Sequence, residues 1–184
     1  MDKRGYKRGQ MWIMDAALSL ILFAAAAIIS FNIILNSMAS NTDFDHIKED
    51  ASKISEYLLS EGVPENWNAS TMIRPGFVTG GRLNATKIIL GMNFTNASYA
   101  VMKSRLQTNY DFLVVFENYS GDVVDFGDYC VFGDPNVKIE GNLTSPVNCT
   151  SVNFTTTTYT NLVVINRFAV LSSDIVRMVV YVWD

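Results

Sequence analysis

Few side chains in this sequence are of a kind that does covalent or metal chemistry: two cysteines, Cys130 and Cys149, and a single histidine, His46. The thiols are 19 positions apart with no histidine near either, which is not the spacing of a zinc site. His46 is far in sequence from both, so no local motif pairs a nucleophile with an imidazole base. Asp122, Asp125, Asp128 and Asp134 form a loose acidic set with oxygens suited to calcium, but not at EF-hand spacing. Solvated turn carboxylates are the simpler reading. Gly80-Gly81 is followed neither by Lys-Ser/Thr nor by a helical pattern, as a phosphate-cradling loop requires. No catalytic residue, metal site or cofactor is expected, and the chain does not read as an enzyme.

The chemistry the sequence does advertise is modification. Asn-x-Ser/Thr acceptors stand at Asn68, Asn84, Asn93, Asn96, Asn118, Asn142, Asn148 and Asn153, which is 8 of the 16 asparagines. Random placement of the 28 serines and threonines would give roughly 2–3 such triplets, so the excess points to a glycosylated exterior segment. An Asn/Thr-rich composition producing the triplets incidentally is the competing reading. In an oxidising exterior Cys130 and Cys149 would pair, closing a loop of about 20 residues for a stabilisation on the order of 3 kcal/mol. Two unpaired thiols stay open as the alternative, because sequence does not give their separation.

Both readings need a compartment, and the N-terminal region supplies one. Ala16 to Thr42 carries no charge, and Ala16 to Leu35 is a 20-residue apolar run. About 20 helical residues cross the roughly 30 Å hydrocarbon core of a bilayer. Lys3, Arg4, Lys7 and Arg8 against Asp2 give residues 1–9 a charge of +3, leaving −7 for the rest of a chain whose net charge is −4. Basic residues stay cytoplasmic, which puts the N-terminus inside and the C-terminal head outside. A buried core helix or a cleaved secretory signal is the alternative, though a signal's apolar region is ordinarily about 7–15 residues. Trp12 suits an interfacial anchor. The acidic body argues against nucleic acid as a partner, since phosphate binding needs a basic face. Membrane lipid is the first partner expected.

Two features of the span bear on its neighbours. Ala24 to Ala27, with Ser19 and Ser30, is a run of small side chains that lets helix backbones approach closely. Asp15 interrupts the apolar run, at a cost of about 2.5–3.5 kcal/mol were it at the bilayer centre. It reads either as a helix N-terminal carboxylate complementing the macrodipole or as an inter-subunit charge.

Arg8 to Phe23, RGQMWIMDAALSLILF, resembles the class III (type IV pilin-like) signal sequence of archaeal secreted proteins: a short basic leader, Gly-Gln, then an acidic residue just inside an uncharged helix. The resemblance implies cleavage by a membrane leader peptidase between Gly9 and Gln10. It also implies retention of the helix as a filament core, and an Asp15 carboxylate neutralised by a neighbour's new α-amino group. Cleavage there places Asp15 sixth in the mature chain; a cut before Met11 would place it fifth. Further likeness lies in GVPENW (62–67), RLNATKI (82–88), SYAVMKSRLQ (98–107) and YDFLVVFE (110–117). The implied partners are the same or other pilin-like subunits, the leader peptidase, the assembly ATPase and its platform protein. The implied function is a subunit of a surface filament or pilus-associated structure with an adhesive or structural role. The alternative is a single-pass, signal-anchored extracellular domain outside any filament.

The remainder must form the head. Ile47, Ala51, Ile54, Leu58 and Leu59 fall at helical spacing, and Gly62 and Pro64 then stop the helix. Strands are expected at 112–117, 122–126, 136–140, 162–171 and 175–183, the last two as a hairpin turning at Ser172-Ser173-Asp174. Arg177 among apolar neighbours suggests one wet face, and Trp67 and Trp183 read as packing aromatics. The expected fold is α+β: residues 1–9 a basic leader, 10–38 a hydrophobic helix, 39–62 an amphipathic stalk, and 63–184 an antiparallel, β-rich head with a short packed helix.

Overall fold

The computed structural model describes residues 4–135, 137–142, 148–153 and 159–184, with side chains described at 14–35, 44–135, 137 and 159–184. The fold is α+β, and the chain divides into two compact units, residues 1–43 and 44–184. Helix α1, Arg4–Leu58, contributes to both.

Among the described side chains of the first unit, α1 has no amphipathic face. Met14–Leu35 has a mean hydropathy of 2.5 over 22 residues, none of it buried. Its side chains are exposed all round, including Leu18, Ile21, Phe23, Ile28, Phe31 and Ile34. An apolar surface of this kind is stable only against lipid or other helices. Asn32 folds its amide back on the helix, Nδ2 donating to the Ile28 carbonyl at 2.9 Å, which satisfies one of its two N–H groups.

In the second unit the periodicity becomes one-sided. Ile47, Ala51, Ile54 and Leu58 are fully buried, with Leu59 packed beside them. Among the described residues this unit has two further helices, α2 (Ala85–Ala97) and α3 (Tyr99–Leu106). They pack with α1 residues on one face of a six-stranded sheet made of β1 (Val78–Thr79), β2 (Arg82–Leu83), β7 (Leu162–Leu171), β8 (Asp174–Trp183), β3 (Asp111–Glu117) and β4 (Val131–Gly133), in that spatial order. A separate pair joins β5 (Lys138–Asn142) to β6 (Asn148–Asn153).

The sheet is mixed rather than purely antiparallel, because β2 meets β7 in parallel at Leu83 and Leu171. Its long ladders are antiparallel: β8 pairs with β7 from Asp174 to Trp183 and with β3 from Arg177 to Trp183. The Ser172–Ser173 corner closes the expected hairpin, with Ser172 at a φ of 58°. The expected strand at 122–126 does not form. Only isolated bridges join Glu117 to Val123 and Phe126 to Tyr129, while β3 takes β4 as its partner. The expected strand at 136–140 begins at Lys138 instead, and Asn136 lies outside the described residues.

The stop after α1 is tightly packed. Gly62 has a φ of +82°, and an added Cβ there would lie 2.6 Å from the Trp67 indole. Trp67 is buried and donates from Nε1 to the Gly76 carbonyl at 2.9 Å. Trp183 is buried too, with Leu113, Val115 and Val137 in a second cluster on the opposite sheet face. That face is covered only in part.

Candidate functional surface

Two groups of residues organise the head from within. Asn84 caps α2, its Oδ1 accepting from the Thr86 and Lys87 N–H groups at 3.0 and 3.3 Å. The cap fixes Lys87, whose buried Nζ donates to the Glu61 carbonyl at 2.8 Å and to the Val78 carbonyl at 2.9 Å. One ammonium thus ties the segment after α1 to β1 and α2. Burial holds the Lys87 pKa below the ordinary lysine value, against the opposing pull of Glu61 and Glu65. Tyr99 forms the second group: its hydroxyl donates to Asp111 Oδ1 at 3.1 Å and accepts from the Phe112 N–H at 3.0 Å. Lys103 Nζ donates to the same Asp111 oxygen at 2.8 Å, and burial drives the Tyr99 pKa upward. Sequence reasoning missed Lys87; the signal was a lysine at the third helical position after an asparagine cap.

Gly80 and Gly81 have φ values of 59° and 77° and turn β1 into β2. A helix does follow them, starting at Ala85, which corrects the expectation that none would. Their left-handed conformations are those a two-residue hairpin turn demands.

The sequence-predicted residues fall in separate places. The Gly9–Gln10 bond lies within α1, and the side chains of both residues and of Trp12 lie outside the described ones. Asp15 is exposed, one residue into the Met14–Leu35 stretch. His46 is exposed on α1 in the second unit. Cys130 is buried just before β4; Cys149 belongs to β6, where the side chains are outside the described set. Asp134 is buried while Asp122, Asp125 and Asp128 are exposed, and among the described residues no group of three or more His, Cys, Asp or Glu could hold a metal ion.

The acceptor asparagines differ in setting. Asn68, Asn93 and Asn96 are exposed, whereas Asn84 and Asn118 are half-buried. Asn142, Asn148 and Asn153 lie on β5 and β6 with undescribed side chains. Asn118 opens the turn after β3. Its Oδ1 accepts from the Ser120 N–H at 2.8 Å and the Asp122 N–H at 3.0 Å, while its Nδ2 donates to Asp122 Oδ2 at 3.1 Å. Beside this turn Arg177 pairs with Glu117, its Nε donating at 2.8 Å and its Nη2 closing the pair. The turn and the β7–β8 end of the sheet border a recess of about 440 Å³ whose apolar wall is Tyr119, Phe168 and Ile175.

Compared with family models, curated proteins and solved structures, the chain finds no match.

Proposed function

We propose that this chain is a membrane-inserted, surface-displayed subunit of the type IV pilin-like kind, structural or adhesive rather than catalytic. It inserts with its basic end in the cytoplasm and its head outside. It then loses residues 1–9 and packs the apolar half of α1 against the same half of sister subunits. The observation that carries the reading is Met14–Leu35: 22 exposed helical residues with Asp15 their one charge, following four basic residues at positions 3–8. Such a surface needs a hydrocarbon or helical environment throughout the protein's life. The small residues at 24–27 suit the second environment, and Asp15 would meet the α-amino group of a neighbour there. The Gly9-Gln10 motif and its resemblance to class III leaders support processing before assembly. In the head, the buried position of Cys130 and the absence of a free cysteine among the described residues support a Cys130–Cys149 bridge. The sequons support glycosylation.

A single-pass anchored ectodomain that keeps Met1 is the second reading. One observation favours it: the Gly9–Gln10 bond is helical, whereas proteolysis prefers exposed, irregular backbone. Mass spectrometry of the mature N-terminus separates the two. A chain beginning at Gln10, recovered from shed fibres, is the expected outcome. Residues 1–9 intact on exported protein would remove the filament reading and leave the anchor. Asp15→Asn tests assembly further: membrane insertion is expected to persist while fibre yield collapses.

A further inference from the structure

We propose that Asn118 carries an N-linked glycan whose first sugars lie across the apolar patch made by Tyr119, Phe168 and Ile175. The inference rests on the exterior placement of the head proposed above. Tyr119 is 97%, Phe168 74% and Ile175 66% exposed. Three large apolar side chains bordering one recess are unusual on an unpartnered surface and mark a place that something covers. The occupant is indicated by the wall itself, because the acceptor asparagine lines the same recess. A pyranose presents C–H faces to aromatic rings and hydroxyls to the Arg177 guanidinium, which Glu117 holds at the recess edge.

The local bonding fits the modified amide. A primary amide has two N–H hydrogens. One, on Asn118 Nδ2, is engaged by Asp122 Oδ2, and the turn is otherwise held through Asn118 Oδ1. Transfer forms a bond from Nδ2 to the anomeric carbon of a lipid-phosphate-linked oligosaccharide and breaks that carbon's bond to the phosphate oxygen. The lipid phosphate leaves with the bonding pair, and the second amide hydrogen is lost as a proton to a base of the membrane transferase. Both bonds to Asn118 Oδ1 are untouched, and one N–H remains on Nδ2 to face Asp122. The Asn93 sequon is built differently: the hydroxyl of Thr95 in its triplet is buried and donates to the Gly91 carbonyl at 2.8 Å.

The test uses full-length protein from the membranes of the cells that make it. Glycopeptide mass spectrometry reads occupancy at Asn118, and hydroxyl-radical footprinting reads the Tyr119 and Phe168 rings. Ser120→Ala removes the acceptor hydroxyl but keeps the backbone N–H that bonds Asn118, so the turn stays; Asn118→Gln is the second variant. Occupied Asn118 is expected, with a several-fold gain in labelling of Tyr119 and Phe168 in both variants. A bare Asn118 beside another glycosylated sequon overturns the inference, as does an occupied Asn118 with labelling unchanged in the variants. Protease shaving of intact cells distinguishes its failure from that of the placement: a head cleaved from outside with Asn118 bare sinks only the glycan, whereas a head protected inside sinks both.

Discussion

At the scale of single residues, Lys87 shows how a charge becomes structural. Its ammonium is drawn from water to serve two carbonyls on different segments, and no apolar side chain of similar length does the same. Lys87→Met leaves the Glu61 and Val78 carbonyls without this donor. The expected loss is about 1–3 kcal/mol, read as a lower midpoint in chemical denaturation of the full chain in detergent. Asp184 behaves in the opposite sense. Its carboxylate accepts from the Asn161 N–H at 2.7 Å, from Asn161 Nδ2 at 3.1 Å and from the Thr160 N–H at 3.2 Å, binding the entry of β7 to the exit of β8. These bonds, that of the Asn161 N–H foremost, hold its pKa below the usual 3.8. The unfolded chain therefore takes up the proton first as pH falls. The contribution is whole above the unfolded pKa and is lost as pH drops through the folded one. In Asp184→Asn the acid limb of the stability profile below about pH 4 should be shallower. An unchanged limb would show that these bonds do not form in solution.

At the scale of elements, legibility followed length and burial pattern. β7 and β8 are ten-residue runs rich in β-branched and aromatic side chains and match their expected spans to within a residue, as does the core of β3. β1 and β2, at two residues each, hold too few positions to show any period. α2 was hidden by composition: Asn93, Thr95 and Asn96 are poor helix formers, yet Ile88, Met92 and the buried Thr95 form a helical face. The residues at 122–126 were misread because Val123 and Val124 look like strand, while the Asn118 turn and the left-handed Gly121 and Gly127 leave only single bridges. The candidate surface was legible as sequons but not as a surface, since Phe168 and Asn118 are 50 positions apart. Burial also ranks the elements by consequence. Phe112→Ala, at a fully buried β3 position with rings of Tyr99 and Phe132 against it, should cost about 3–5 kcal/mol. Ile54→Ala on α1 should cost about 2–5 kcal/mol. Ile29→Ala, in the exposed stretch, should leave the head's unfolding midpoint where it was.

For the whole molecule, the two units differ in what they bury. The apolar stretch of α1 buries nothing within the chain, whereas the head closes its own core. A charge placed in the middle of that stretch, Ile28→Lys, should cost roughly 2.5–3.5 kcal/mol of insertion. The variant should shift from the carbonate-resistant membrane fraction toward soluble or degraded material while any folded head keeps its unfolding midpoint. Equal membrane retention of variant and parent would count against the bilayer assignment. The order of strands across the sheet carries a temporal consequence. β8 sits between β7 and β3 near the sheet centre, yet follows every other described strand along the chain. During synthesis β3 must wait, with one long backbone edge unanswered, until β8 emerges to fill the gap. Unpaired edges of this kind invite the wrong strand. A helix already lodged in the bilayer would keep each waiting chain apart from its siblings, so that anchorage would act as a chaperone before it acts as architecture.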